Sequence, residues 1–285
     1  MRTIEFIVPP DAAGMAFGDV MRKFLGMSRS GTIHAKYMED GIMLDGVRTR
    51  TNVAVLPGQV LCVALGDTAD DVESCSVKPE DGPIDIVYED EDIVVVDKQA
   101  GIATYPCGHG ASHTLGNYLM GYYRRIGEVV NLHPVHRLDR TTSGLMVFVK
   151  NAHAQHVLQH RMHTDGFIRE YVAFCEGIFP EKSGVIEASI AKISNMPARW
   201  GVVDGPEAKP ALTRYEVVGV YGRISEVKLR LETGRTHQIR VHCAHIGCPL
   251  VGDAIYGNRS DSIDRPALHS AHLELVHPLH DKLLT

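Results

Sequence analysis

The chain has 285 residues, 44% of them apolar, and a formal net charge of −6 at pH 7. That length suits one large or two modest domains with ample core, and the overall charge by itself speaks against an RNA partner. No apolar run approaches the roughly 18 residues a membrane span needs, and Met1-Arg2-Thr3-Ile4-Glu5 lacks the flank and apolar stretch of a secretory signal, so a cytoplasmic protein without a membrane partner is expected. In chain order, Phe17, Val20, Met21, Phe24 and Leu25 recur at helical spacing, with Arg22 and Lys23 off the apolar stripe. Ser28-Arg29-Ser30 then caps a second helix through Lys36, which Gly41 ends. Short strands follow: Ile42-Met43-Leu44 and Val47 flank the hairpin signal Asp45-Gly46, and Pro57-Gly58 turns the chain into Val60–Val63.

The acid is concentrated in one place. Residues 1–66 hold seven basic and six acidic side chains, residues 67–97 one and twelve, and residues 98–285 twenty-one and seventeen. Asp67 to Asp81 therefore reads as a polar linker. Glu89-Asp90-Glu91-Asp92 reads as a solvated turn between strands Ile84–Tyr88 and Ile93–Val96. What remains is mildly basic, which permits RNA binding without requiring it. The six cysteines (62, 75, 107, 175, 243 and 248) contain no Cys-x-x-Cys pair, a pattern that suits reduced thiols.

Two segments carry the chemistry. His136-Arg137-Leu138-Asp139-Arg140-Thr141-Thr142-Ser143-Gly144 places one acid among arginines, just before the β-rich run Leu145–Val149. Gly234-Arg235-Thr236-His237-Gln238-Ile239-Arg240 opens a predicted helix from Thr236 to Ile246, in which Ile239, Cys243 and Ile246 face the core while Gln238, Arg240 and His242 point elsewhere. Between and around them stand Glu91–Gly101, Gly166–Ala173, Ala208–Tyr215, Leu250–Asp253 with Tyr256-Gly257, and Leu268-His269-Ser270.

In that order, over about 200 residues, these motifs resemble the RluA-like family of RNA pseudouridine synthases. Two departures are Gln99, where the family has proline after lysine, and Ala208, where glycine is usual. The resemblance implies an α+β catalytic domain with a mainly antiparallel mixed sheet and flanking helices at 83–285, joined by the linker 67–82 to residues 1–66. Those first residues resemble the small α+β alpha-L RNA-binding domain, whose candidate contacts are Arg22, Lys23, Arg29 and Lys36. It also implies Asp139 as the catalytic carboxylate, Arg240 as its ion-pair partner, and Tyr171 as the tyrosine that stacks on the target base. Arg137 would fill the gap left by a flipped nucleotide, with Arg235, His136 and His237 completing the substrate-binding set. The implied substrate is structured RNA, with ribosomal RNA favoured and transfer RNA the alternative, and no protein partner is inferred.

Uridine isomerisation breaks a glycosidic bond and joins carbon 5 to the sugar. A carboxylate can attack the anomeric carbon, or stabilise charge there and remove a sugar proton. The product is an isomer, so no cofactor or metal is expected. Two readings from other classes compete. One is a catalytically idle RNA-binding protein. The other is a metallohydrolase, suggested by His153, His156, His160 and His163 on one predicted helix and by His237, His242 and His245; neither group contains His-Glu-x-x-His or another compact ligand set.

Overall fold

The computed structural model describes residues 2–65, 77–106, 112–162, 164, 166–195, 198–280 and 282–285. Near its start lie two helices, Phe17–Lys23 (α1) and Arg29–Tyr37 (α2). The first buries Phe17, Val20 and Met21 and leaves Arg22 and Lys23 exposed, as its spacing predicts. In the second, the Ser28 hydroxyl accepts from the Gly31 N–H and supplies the expected cap. The helices pack on a four-stranded sheet in the order β1 (Thr3–Ile7), β4 (Val60–Ala64), β2 (Ile42–Leu44), β3 (Val47–Arg48). Asp45 and Gly46 both take positive φ, 49° and 77°, as the two-residue turn between β2 and β3 requires. Strand β1 is an addition to the expected elements, since its partner β4 lies far along the chain and no local turn betrays the pairing.

Residues 66–76, most of the expected linker, lie outside the described residues. Lys78 to Gly82 are packed: the Asn117 side-chain amide donates to the Lys78 carbonyl at 2.7 Å, and the Glu80 N–H donates to the Asn117 carbonyl at 3.0 Å. Both contacts seat this stretch on the helix Leu115–Ile126 (α3).

The rest of the chain builds one mainly antiparallel sheet. Its order is Ser183–Glu187 (β10), Leu212–Tyr221 (β13), Ile224–Leu231 (β14), Phe167–Glu176 (β9), Leu268–Val276 (β15), Ser143–Val149 (β8), Ile93–Lys98 (β6), Ile86–Glu89 (β5). One pair, β15 with β8, is parallel, and the two-residue strand His133–Pro134 (β7) pairs antiparallel with β8. Helix α3 packs through Leu115, Leu119 and Tyr123 against Val94, Val96, Met146 and Phe148. The helix Ala152–Arg161 (α4) covers another face through Ala154 and Leu158. A separate hairpin, Ile190–Asn195 (β11) with Ala198–Val202 (β12), lies against the helix Gln238–His245 (α5). The α+β architecture with a mainly antiparallel sheet is the one implied by the sequence. Among the described residues no helix is long and apolar enough to cross a membrane.

Two expectations are corrected. The Glu89–Asp92 run is not a solvated turn: Asp92 is 1% exposed and accepts from Arg2 at 2.8 and 3.0 Å and from Asn151 at 3.2 Å, while Glu89 accepts from Tyr123 at 2.7 Å and Lys150 at 2.8 Å. Acidic side chains this buried persist because each finds donors, and Arg2 ties β1 to the β5–β6 turn. Helix α5 is also not one-sided. Gln238, Arg240 and His242 are buried along with Ile239 and Cys243, because sheet and hairpin enclose it and satisfy its polar groups.

Candidate active site

Asp139 sits on a loop braced from below. Lys98, fully buried at the end of β6, donates from Nζ to the carbonyls of Gln99 and Ile102, both at 2.9 Å, and Arg140 at 3.4 Å. Burial pushes its pKa down to about 8, against the pull of the Asp139 charge. The Thr104 hydroxyl donates to the Leu138 carbonyl at 2.9 Å, and Gly101, at φ 91°, exchanges hydrogen bonds with Arg140. At the far end of the loop Gly144 takes φ 112° and lies directly against the Ser270 backbone, where a Cβ has no room.

The sheet then sets the neighbours side by side. Ser270 pairs with Gly144 on one side and with Tyr171 on the other, and Tyr171 pairs next with Leu229. Strand β14 leads into the turn that starts α5. Gln238 fixes this turn: its side-chain oxygen accepts from the Arg235 N–H at 2.9 Å and the Thr233 hydroxyl at 2.8 Å, and its nitrogen donates to the Leu212 carbonyl at 3.0 Å. Residues far apart in sequence thereby meet at one end of the sheet.

The half-exposed Asp139 carboxylate is met by Arg240 Nη1 at 3.9 Å and His237 Nε2 at 3.8 Å. Arg240 gives its hydrogen bonds elsewhere, from Nε and Nη2 to both oxygens of Asp253 at 2.7 and 2.8 Å. Asp253, fully buried, also accepts at Oδ1 from the Ile255 and Tyr256 N–H groups at 3.1 and 3.2 Å. The fork satisfies Asp253 first and presents its third nitrogen to Asp139. Tyr171 is 4% exposed, and burial raises its phenol pKa.

Two contiguous clefts converge here. The larger, about 490 Å³, is lined by Tyr105, Arg137, Asp139, Arg169, Tyr171 and Arg235 among others; the smaller, about 50 Å³, shares Arg137, Asp139, Tyr171 and Arg235 and adds His237 and Arg240. Arg137 is exposed at both. Arg235 is exposed and donates to the Pro210 carbonyl at 3.0 Å, and none of its hydrogen bonds goes to Asp139. His136, by contrast, lies 6% exposed beneath the loop, its Nε2 accepting from the Val147 N–H at 3.4 Å and its pKa pushed down to about 3 by burial. It also lines the larger cleft, so a neutral imidazole both props the loop and borders the site. Arg22, Lys23, Arg29 and Lys36 are exposed on α1 and α2 and line neither cleft.

The family model described as RNA pseudouridylate synthase matches residues 92–245. The chain belongs to this family. Over 99% of its length it is 41% identical to 92% of "Uncharacterized RNA pseudouridine synthase YhcT" of Bacillus subtilis. It is 35% identical to the ribosomal large subunit pseudouridine synthase D of Escherichia coli K12, covering 85% of this chain and 77% of that one. Among solved structures, human RNA pseudouridylate synthase domain containing 1 aligns with a TM-score of 0.57 at 28% identity, over 72% of this chain and 84% of that one. The protein is thus an RNA pseudouridine synthase, an isomerase whose substrate is RNA.

Sequence pattern alone undervalues Lys98 and Asp253. Both stand within the family motifs, yet only their burial reveals what they hold in place. Of the histidines weighed as metal ligands, His153 is buried and His156 and His160 are exposed along α4, while His163 lies outside the described residues. His242 bridges Thr213 Oγ1 at 2.9 Å and the Ala188 carbonyl at 3.0 Å, and His245 is exposed. Among the described residues the one cluster of three potential ligands is Asp90, Asp92 and His277, whose acids already serve Arg2, Asn151 and Tyr88.

Proposed function

We propose that the protein converts uridines in large-subunit ribosomal RNA to pseudouridine, with Asp139 as the catalytic carboxylate acting on a nucleotide turned out of its stack. The observation that carries this is the convergence of a half-exposed carboxylate, a cation held 3.9 Å away and a buried tyrosine in one cleft. The N1–C1′ bond breaks and a C5–C1′ bond forms; carbon 5 gives up a proton and N1 takes one, so nothing is oxidised or reduced. A carboxylate faced by a fixed cation is suited to meeting positive charge at C1′, by attack or by taking a sugar proton. Tyr171 offers its ring to the uracil. Arg137, exposed beside the acid, fills the space the nucleotide leaves, and Arg235 meets phosphate at the rim.

The choice of ribosomal RNA rests on the names of relatives such as the Escherichia coli enzyme. Residues 1–66, with Arg22, Lys23, Arg29 and Lys36 exposed, are read as an RNA-holding module that raises affinity without joining the chemistry. Pseudouridine mapping in RNA from cells with and without the gene is the test. Loss of sites confined to large-subunit RNA is the expected result, and loss confined to transfer RNA would overturn the substrate assignment.

A further inference from the structure

Around His237 three hydrogen-bonding groups run in series from the β11–β12 hairpin to the catalytic carboxylate. The Trp200 backbone N–H donates to the Tyr256 hydroxyl oxygen at 3.0 Å, and that hydroxyl lies 2.8 Å from His237 Nδ1. His237 Nε2 then lies 3.8 Å from Asp139 Oδ2. The two rings bracket the imidazole edge-on, Trp200 at 5.0 Å and Tyr256 at 5.6 Å.

The order of donors points to one tautomer. The Tyr256 oxygen already accepts from Trp200, and among the described residues its hydroxyl has no partner besides Trp200 and His237. Within the protein the acceptor for its hydrogen is Nδ1, and that bond leaves the imidazole proton on Nε2, facing Asp139. Two guanidinium groups lie over the Tyr256 ring, Arg240 at 5.0 Å and Arg199 at 5.7 Å, and hold the phenol against the imidazole. The opposite tautomer would aim an Nε2 lone pair at a carboxylate and leave the phenol hydrogen idle.

We propose that His237 is a positioning residue for Asp139: as a neutral imidazole with its tautomer set by Tyr256, it donates Nε2–H to the carboxylate when the site closes on RNA. This rests on the reading of Asp139 as the catalytic acid. The gap of 3.8 Å is the open form of a hydrogen bond that tightens with substrate bound. A neutral donor orients the carboxylate without adding a second full charge beside Arg240. It also joins chemistry to the hairpin, whose Lys192 and Trp200 line a neighbouring cavity of about 420 Å³ with Lys209 and Arg235.

The backbone supplies a control. His237 takes φ 57°, a left-handed conformation that asparagine tolerates best among residues with a side chain. His237→Asn keeps the backbone and loses the Nε2 donor, whereas His237→Gln returns an N–H near that position. Single-turnover rates at saturating large-subunit ribosomal RNA transcript should fall roughly 10²-fold for Asn and recover substantially for Gln. Nitrogen-15 NMR of the wild-type protein, with His237→Asn assigning the resonance, should show Nε2 protonated and Nδ1 bare; Tyr256→Phe should lose that bias. A wild-type ring protonated on Nδ1, or an Asn variant as fast as wild type, would overturn the proposal. Retained turnover by Asp139→Asn, measured alongside, would remove the acid that His237 serves and so strike the underlying site, whatever the tautomer.

Discussion

Arg240 is shared unequally between two acids: it clasps Asp253 through two hydrogen bonds of 2.7 and 2.8 Å and leaves Nη1 3.9 Å from Asp139. With Arg240 4% and Asp253 0% exposed, removing one partner strands a charge in the interior. Arg240→Met should therefore cost about 3–5 kcal/mol of stability in addition to most of the activity. The double variant Arg240→Met/Asp253→Leu should regain much of the stability and none of the turnover. Denaturant unfolding paired with single-turnover rates checks both halves; equal stability of the single variant and wild type would show that the two side chains do not act as a buried unit.

Asp139→Asn should abolish pseudouridine formation while leaving RNA affinity and unfolding stability near wild type, since the carboxylate is half-exposed and its close contacts are long. Product quantification under multiple turnover, with a binding titration, is the check.

Tyr171→Phe keeps the ring and loses the hydroxyl, a candidate group for taking the proton from carbon 5, so binding should persist while the chemical rate falls. Tyr171→Leu loses the stacking face as well and should lower both the rate and the affinity for a short uridine-containing RNA. Separate fits of kcat and KM for the two variants distinguish these roles.

Lys98 carries a pH signature. Its folded pKa of about 8 lies below the ordinary 10.5, so between those values the unfolded chain binds more protons and stability rises with pH. Below pH 8 the full cost of burying the charge is present. Relative to Lys98→Met, wild type should thus gain stability as pH rises from 8 to 10.5. Unfolding curves for both proteins across that window measure it, and a constant difference would mean the ammonium is better solvated than its position implies.

Replacing Arg22, Lys23, Arg29 and Lys36 together by alanine should weaken RNA binding and flatten the decline of log affinity with log salt by about 0.7–0.9 for each phosphate no longer neutralised. Maximal single-turnover rate should hold. Substitution is a cleaner test than deleting 1–82, because Lys78 and Glu80 are bonded to Asn117. Equal salt slopes would show that this face does not hold RNA.

Local pattern makes α1, α2, the Asp45-Gly46 hairpin and the motif residues legible, because periodicity, caps and turns are short-range signals. Asp139, Tyr171 and Arg240 do share one cleft, as the family resemblance implies. What escapes is partnership at long range. Nothing near Asp92 in the sequence points to Arg2, nothing near Arg240 says that Asp253 outcompetes Asp139, and nothing near His136 tells that it is buried beside Phe167 and Val147. Buried charges such as Asp92 look solvated in the sequence because composition does not report burial.

The loop that carries Asp139 leans on β15: Ser143 Oγ lies 3.0 Å from His269 Nδ1, across 126 residues of sequence, and Gly144 nests against Ser270. A growing chain therefore contains Asp139 long before it contains the strand that seats it. Until Leu268–Val276 docks, the two halves of the sheet have no common edge and Asp139 has no fixed address. The site is thus a non-local assembly, of the kind whose contacts must close a long stretch of chain before they reward it, and it is whole only when the sheet is.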